Sequence, residues 1–260
     1  MKIVTLIENT TQDPRLQYEH GLSLYIEACG KKILFDTGAS GSFADNADFL
    51  GIDLQDIDIA VLSHGHNDHS GGFLRFLEWN DKAPIWVRPE ALLPCHNGAG
   101  EYIGLAPSLQ KSPRLRMAAH TQPIGEGLTL YSCNHKAITV PIDSAGLTVK
   151  ENGGFLPDVF LHEQYLLIRE GSKRVLISGC SHKGILNIVR WFQPDVLIGG
   201  FHYMRVDPED PMLRRSAETL AQYPCVYYTG HCTGQAQYAA MKKIMADKLQ
   251  SLSTGVTIEI

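Results

Sequence analysis

The sequence predicts an α/β protein built from two mixed β-sheets packed together with helices outside. Three observations carry this. Each half of the chain opens on strand patterns and then alternates strand with helix. The 260 residues suit one large α/β domain, so residues 1–260 are read as a single domain. Apolar residues make up 44% and charged residues 20%, the balance of a chain that forms a core without cross-links.

The elements follow in order. Lys2–Glu8 alternates and reads as a strand, and Leu22–Ala28 with Lys32–Phe35 flank a Cys29-Gly30 turn as a hairpin. Ser42–Leu50 is a short helix capped by Ser42. Ile57–Leu62 is a buried strand, followed by a helix over Gly71–Trp79 and a strand over Pro84–Val87. Residues 93–125 hold Pro94, Pro107, Pro113 and Pro123 with little periodicity, and are expected to be an insertion that covers a site. Leu128–Ser132 is a strand, and a turn-rich stretch runs from there to Asp158. Strands are expected at Val159–Leu161, Tyr165–Arg169 and Arg174–Ser178, then a helix at Lys183–Phe192 and a strand at Asp195–Ile198. Pro211–Gln222 is a helix with Pro near its start. Cys225–Tyr228 (strand), Thr233–Lys248 (helix) and Val256–Glu259 (strand) complete the chain.

Composition narrows the function. The net charge of −5, with no run of one sign, argues against nucleic acid or an anionic membrane as partner. The longest apolar runs, such as Val175–Ser178, are too short to span a bilayer, and the N-terminus lacks the pattern of a signal peptide. Six scattered cysteines without a CxxC read as reduced thiols. The expected setting is the cytoplasm and the expected partner a small soluble substrate.

Chemistry concentrates in His64-x-His66-x-Asp68-His69, directly after a buried strand. Zinc and similar ions take neutral imidazole nitrogens and carboxylate oxygens. Residues two apart on an extended segment point the same way, so His64 and His66 can grip one ion. Asp68 and His69 follow in the turn and can face a second. A polar loop that merely contains three histidines is the plain alternative, but four metal-capable residues in six positions are hard to obtain by chance. Further candidates stand where strands end: Cys180 and His182 in Ser178-Gly179-Cys180-Ser181-His182, His202 in Gly199-Gly200-Phe201-His202, and His231 in Thr229-Gly230-His231-Cys232. His182 and His231 are the stronger expected ligands. Cys180 and His202 are read as ligands or as neighbours of ligands. Asp36, ending Leu34-Phe35-Asp36, is expected to orient a ligating histidine through its other ring nitrogen. His162 is a weaker candidate, and His96 could touch substrate. His20, His120 and His135 carry no signal.

These stretches resemble the metallo-β-lactamase superfamily. The resemblance rests on His64-x-His66-x-Asp68-His69-Ser70-Gly71-Gly72, preceded by Leu34-Phe35-Asp36-Thr37-Gly38, and the order of the parts fits along nearly the whole chain. It implies a four-layered αβ/βα sandwich with a metal site at one edge between the sheets. It also implies His64 and His66 on one metal, Asp68 and His69 on the other, and His231 in the late histidine position. Cys180 stands where many members have a bridging Asp, and His182 is expected to supply the histidine of the first metal. Gly179–Ile185, Gly199–His202 and Thr229–Gly234 are similar to a branch associated with 7,8-dihydropterin-6-methyl-4-(β-D-ribofuranosyl)aminobenzene 5′-phosphate synthase.

Three functions follow as expectations. The first is a hydrolase that uses two divalent ions, zinc before iron or manganese, to hold a hydroxide for attack on a small phosphorylated substrate, with Asp68 as the catalytic carboxylate. The second is a transferase that joins a pterin diphosphate to a ribofuranosylaminobenzene phosphate and releases pyrophosphate. The third is a metal- or redox-sensing module using Cys180 and Cys232.

Overall fold

A computed structural model describes residues 1–151 and 153–260. The first half of the chain forms β1 (Lys2–Ile7), β2 (Ser23–Ala28), β3 (Lys31–Phe35), β4 (Ile59–Val61), β5 (Ile85–Val87), β6 (Cys95–His96) and β7 (Leu115–Met117). The second half forms β8 (Thr121–Gly125), β9 (Leu128–Tyr131), β10 (Thr148–Glu151), β11 (Gly154–Pro157), β12 (Tyr165–Glu170), β13 (Lys173–Ile177), β14 (Val196–Ile198), β15 (Val226–Thr229), β16 (Leu249–Ser251) and β17 (Thr257–Glu259). The helices are α1 (Ser42–Phe49), α2 (Asn67–Ser70), α3 (Phe73–Trp79), α4 (Pro107–Gln110), α5 (Ile185–Phe192), α6 (Pro211–Ala221) and α7 (Gln235–Met245).

Two seven-stranded mixed sheets result, in the orders β17-β1-β2-β3-β4-β5-β7 and β16-β15-β14-β13-β12-β9-β8. They are built alike. In the first, β3, β4, β5 and β7 run parallel and the rest antiparallel. In the second, β13 to β16 run parallel and β12, β9 and β8 antiparallel. β17 returns to pair with β1, so both chain ends lie in the first sheet.

Side-chain alternation explains the stacking. Ile33 and Phe35 face the core between the sheets, whereas Leu34 faces outward toward Phe43 of α1 and Phe73 of α3. Opposite them, Leu166, Ile168, Val175, Ile177, Val196 and Ile198 close the inter-sheet core, while Leu167, Leu176 and Leu197 meet α5, α6 and α7. Three apolar layers therefore separate four layers of secondary structure, as the fold expectation had it. Parallel strands buried on both faces read as near-continuous apolar runs, and β13 and β14 do so.

Several elements depart from the sequence reading. Residues 93–125 are no structureless insertion. β7 pairs with β5 at the edge of the first sheet, β8 pairs with β9 at the edge of the second, and the chain crosses between sheets there. Both strands are mostly exposed, so they carry little apolar periodicity, and Pro123 is tolerated on an edge. The stretch before Asp158 contains the β10–β11 hairpin, joined by β6 into a small third sheet. Val159–Leu161 is not a strand: Phe160 has φ 57°, which breaks extended backbone. Ser42 does not cap α1. Gly41 takes that position, and the Ser42 N–H donates to Ser40 Oγ at 3.1 Å. α7 stops at Met245, Ala246 turns with φ 46°, and Leu249–Ser251 then joins the second sheet as a strand.

Leu197 lies fully buried in the outer core of the second sheet, whereas Ile244 is exposed on α7. Leu197→Ala is expected to cost about 2–5 kcal/mol in urea unfolding, and Ile244→Ala less than about 0.5 kcal/mol. Equal costs would contradict this layering.

Candidate metal centre

The parallel strands of both sheets end at one edge, and the chemistry-bearing residues follow those ends. Asp36 comes after β3, Ser63–His69 after β4, Ser178–His182 after β13, Gly199–His202 after β14 and Gly230–Cys232 after β15. The backbone there is unusual for residues with side chains: Asp36, Ser181, His202 and His231 all have φ between 49° and 58°. Such conformations cost free energy and persist where surrounding contacts enforce them. Gly179 lets the two sheets' loops meet. A Cβ there would lie 2.2 Å from Ser63 Oγ and 3.0 Å from His64 Nδ1.

Asp36 organises the first sheet's contribution. It is fully buried, and it accepts from Ser63 N–H and Ser63 Oγ–H at 2.7 Å each. It also accepts from His69 Nδ1 at 2.7 Å. Because the Ser63 hydroxyl has one proton and gives it to the carboxylate, Ser63 Oγ accepts from His64 Nδ1, also at 2.7 Å. Both rings therefore carry the proton on Nδ1 and leave a lone pair on Nε2. Asp36 thus bonds His69 directly and reaches His64 through Ser63, the contacts by which a carboxylate would orient these rings.

The lone pairs point at one another. His64, His66 and His182 each offer a nitrogen within 4.8 Å of the others. Their rings are buried with centroids 4.7–5.0 Å apart. Nε2 of His64, Nε2 of His66 and both nitrogens of His182 have no hydrogen-bond partner among the described residues. Buried polar atoms are normally satisfied, so unpartnered nitrogens on three rings that can each turn one toward a common point suit a cation. Beside them, His69 Nε2 lies 3.2 Å from both Cys180 Sγ and His231 Nε2. Asp68 Oδ2 is 3.4 Å from His231 Nε2 and 3.8 Å from His69 Nε2. Cys180 also groups with His231 and Cys232. The donor set thus divides into a three-histidine group and an Asp68, His69, His231 and Cys180 group.

Electrostatics suit cation binding. Burial, reinforced by neighbouring histidines, holds His64 and His182 well below the ordinary imidazole range and His66 at about 3. Burial opposes ionisation of Asp68, but the surrounding imidazoles, His69 foremost with His231 and His66, outweigh it and push its carboxyl down. The same balance, with Asp68 and Asp36 beside it, raises His69 against the effect of burial.

The remaining candidates sort by contact. His202 lies against His182 with ring centroids 4.3 Å apart and lines the adjoining cavity, but joins neither donor group. His162 accepts from Gly65 N–H at 3.0 Å through Nδ1 and meets Asp158 Oδ2 through Nε2 at 2.9 Å, so both its nitrogens are engaged. His96 packs against Tyr102 and Phe155.

Some contributors carried no sequence signal. Glu163 accepts from His182 N–H at 2.6 Å and Lys183 N–H at 3.0 Å, shaping the second sheet's loop. Phe160 stacks on His182 at 4.4 Å. Glu8 and Asn9 follow β1; Glu8 accepts from His231 N–H and Asn9 Oδ1 from His231 Nδ1 at 2.9 Å. His20 sits 3.5 Å from Asp68 Oδ2. Each lies far in sequence from the group it supports, so only a motif spanning the fold could reveal it.

A cavity of about 860 Å³ adjoins the cluster. Its floor includes His66, Asp68, Cys180 and His182, its walls are largely apolar, and Arg205 and Arg215 line it. Val140, Pro141, Ile142, Asp143, Ala145 and Leu147 line it, as do Asn97 and Ile103 from the 93–125 stretch. No helix among the described residues is long and apolar enough to cross a membrane.

Two stacked mixed sheets, with a cluster of histidines, carboxylate and thiol at their common edge that could hold a metal, define this class of α/β protein. Residues 18–231 match the metallo-beta-lactamase superfamily, and the chain belongs to it. The chain is 28% identical to the 7,8-dihydropterin-6-methyl-4-(beta-D-ribofuranosyl)-aminobenzene-5′-phosphate synthase of Methanocaldococcus jannaschii, over all of this chain and 96% of the relative. A solved metal-dependent hydrolase of the beta-lactamase superfamily, also 28% identical, superposes with a TM-score of 0.86 over 100% of this chain and 99% of its own. Zinc-bound PqqB from Methylobacterium extorquens shares the fold at 15% identity, with a TM-score of 0.63 over the full length of both chains.

Asp36→Asn keeps the volume but replaces one accepting oxygen with a donor, against three groups that all donate. Urea unfolding is expected to show a loss of about 2–3 kcal/mol. An unchanged midpoint would mean that Asp36 does not hold the two loops.

Proposed function

We propose that this protein is a metal-dependent hydrolase of a small, phosphorylated substrate. In this reading one ion is held by His64, His66 and His182 and a second by Asp68, His69 and His231, with Cys180 Sγ between them. The observation that carries it is the set of four orphaned ring nitrogens on His64, His66 and His182. Zinc suits the imidazole-rich set, and iron or manganese are the alternatives. Bound there, divalent ions supply Lewis acidity to a phosphoryl or acyl oxygen and lower the pKa of water.

The chain's own residues do the rest. Asp36 and Ser63 hold His64 and His69 in one tautomer. Asp68 faces the cavity and can accept a hydrogen bond from an attacking water, which orients it. The apolar walls exclude solvent from the substrate's body, and Arg205 and Arg215 favour an anion.

A second reading has a specific support. A relative of nearly the same length is named as a synthase of a pterin-linked ribofuranosylaminobenzene phosphate. A transferase joining a pterin diphosphate to an aromatic amine would use the same cluster to neutralise the departing pyrophosphate, and the same cavity to seat a planar ring.

Metal analysis of protein purified without added metal is expected to give close to two equivalents, with clear loss in His64→Ala and His182→Ala. Full occupancy in His182→Ala would transfer the ligand role to Cys180 or His162, and no metal after reconstitution would end the proposal. In assays, metal-dependent phosphate release from simple phosphate esters is expected. Pyrophosphate release that requires both a pterin diphosphate and an amine acceptor would replace the hydrolase with the transferase.

A further inference from the structure

Asn9 lies between two histidines that flank the Asp68 carboxylate. Its amide orientation is set by two backbone groups whose roles cannot be exchanged. The Gly21 N–H, which can only donate, is 3.3 Å from Oδ1, and the His231 carbonyl, which can only accept, is 3.5 Å from Nδ2. Oδ1 is therefore the acceptor facing His231 Nδ1 at 2.9 Å, and Nδ2 is the donor facing His20 Nδ1 at 3.1 Å.

A neutral imidazole has one donor and one acceptor nitrogen. His231 must then carry its proton on Nδ1 and a lone pair on Nε2. His20 must carry a lone pair on Nδ1 and its proton on Nε2. The rings sit 4.6 Å apart, and their Nε2 atoms lie 3.4 Å (His231) and 3.5 Å (His20) from the same Asp68 Oδ2. Proximity alone would admit His20 as a further ligand, since His20, Asp68 and His231 can share one ion. The tautomer argues otherwise, because the nitrogen that faces Asp68 bears the proton. His20 is also 52% exposed in its side chain and lines the cavity, whereas His231 is buried.

We propose that Asn9 holds His231 and His20 in opposite tautomers, so that His231 offers a lone pair to the metal side while His20 is a catalytic residue that donates an Nε2–H hydrogen bond to an anionic oxygen of the substrate beside Asp68. This rests on reading Asp68 and His231 as metal ligands. A phosphoryl oxygen is the matching chemistry, as it accepts a directed N–H bond and carries the charge that such a bond stabilises.

The test uses zinc-loaded protein with isotopically labelled histidine. Long-range proton–nitrogen spectra are expected to show the Nε2–H form for His20 and the Nδ1–H form for His231. Asn9→Asp presents only acceptors, so Nδ1 of His20 is expected to become protonated while His231 keeps its form. Calorimetric titration with inorganic phosphate is expected to show about tenfold weaker binding in His20→Ala, with unchanged zinc stoichiometry, and partial recovery in His20→Gln, whose amide retains an N–H. An Nδ1–H form of His20 in the wild type would overturn the proposal, as would wild-type phosphate affinity in His20→Ala. Loss of zinc in His20→Ala would make His20 a ligand and also overturn it. If the wild type takes up no zinc, the metal reading fails separately, and the two tautomers are still read on the metal-free protein.

Discussion

A buried carboxylate, Asp36, ties the fold to the site. It stands where β3 stops being a strand, in a left-handed backbone conformation that ends the ladder, and its carboxylate bonds Ser63 and His69 in the segment after β4. Without it, the buried Ser63 N–H and hydroxyl and the His69 ring would lie under the inter-sheet core with no acceptor. With it, two adjacent rings are set to present the same nitrogen inward. The order of construction is thus clear: apolar alternation stacks the sheets, stacking brings strand ends together, and one carboxylate converts the first sheet's end into an oriented donor array.

The second sheet solves the same problem with different parts. Its loop Ser178–His182 is held by Glu163, which bonds the backbone of His182 and Lys183, and by the stacking of Phe160 on the His182 ring. The ring itself is left without a hydrogen bond among the described residues. Each sheet thus positions histidines through groups behind them and leaves the forward nitrogens unused. Such an arrangement is costly in a folded chain with nothing to coordinate, and it is the physical basis for reading the edge as a metal centre.

The cavity adds a contrast in polarity. One end is a dense set of imidazole, carboxylate and thiol groups, and the rest is mainly hydrocarbon with two arginines. The phosphorylated substrate proposed above would match both ends, with its anionic group at the polar end and its body against the hydrocarbon. Hydrolysis and group transfer make the same demand on such a site, since both require charge neutralisation at a phosphoryl group and exclusion of bulk water.

Much of this was legible in the sequence. The strands from β12 to β15 and from β1 to β4 are apolar on both faces, so short runs punctuated by Gly, Ser and His mark them and their ends. The His64–His69 cluster announces its chemistry because four donors in six residues need no tertiary information to be neighbours. What the sequence alone could not supply was anything that depends on a partner far along the chain. Edge strands such as β7, β8 and β11 carry too little buried surface to show a period, and Val159–Leu161 looks like a strand until packing forces Phe160 into a turn. His20 reads as an ordinary surface residue until Asn9 and Asp68 are brought beside it. Composition and local period therefore determined the sheets and the donor cluster. Only the tertiary structure decided which nitrogen each histidine presents, because a tautomer is chosen by the hydrogen-bond partner behind the ring, and that partner comes from a distant strand.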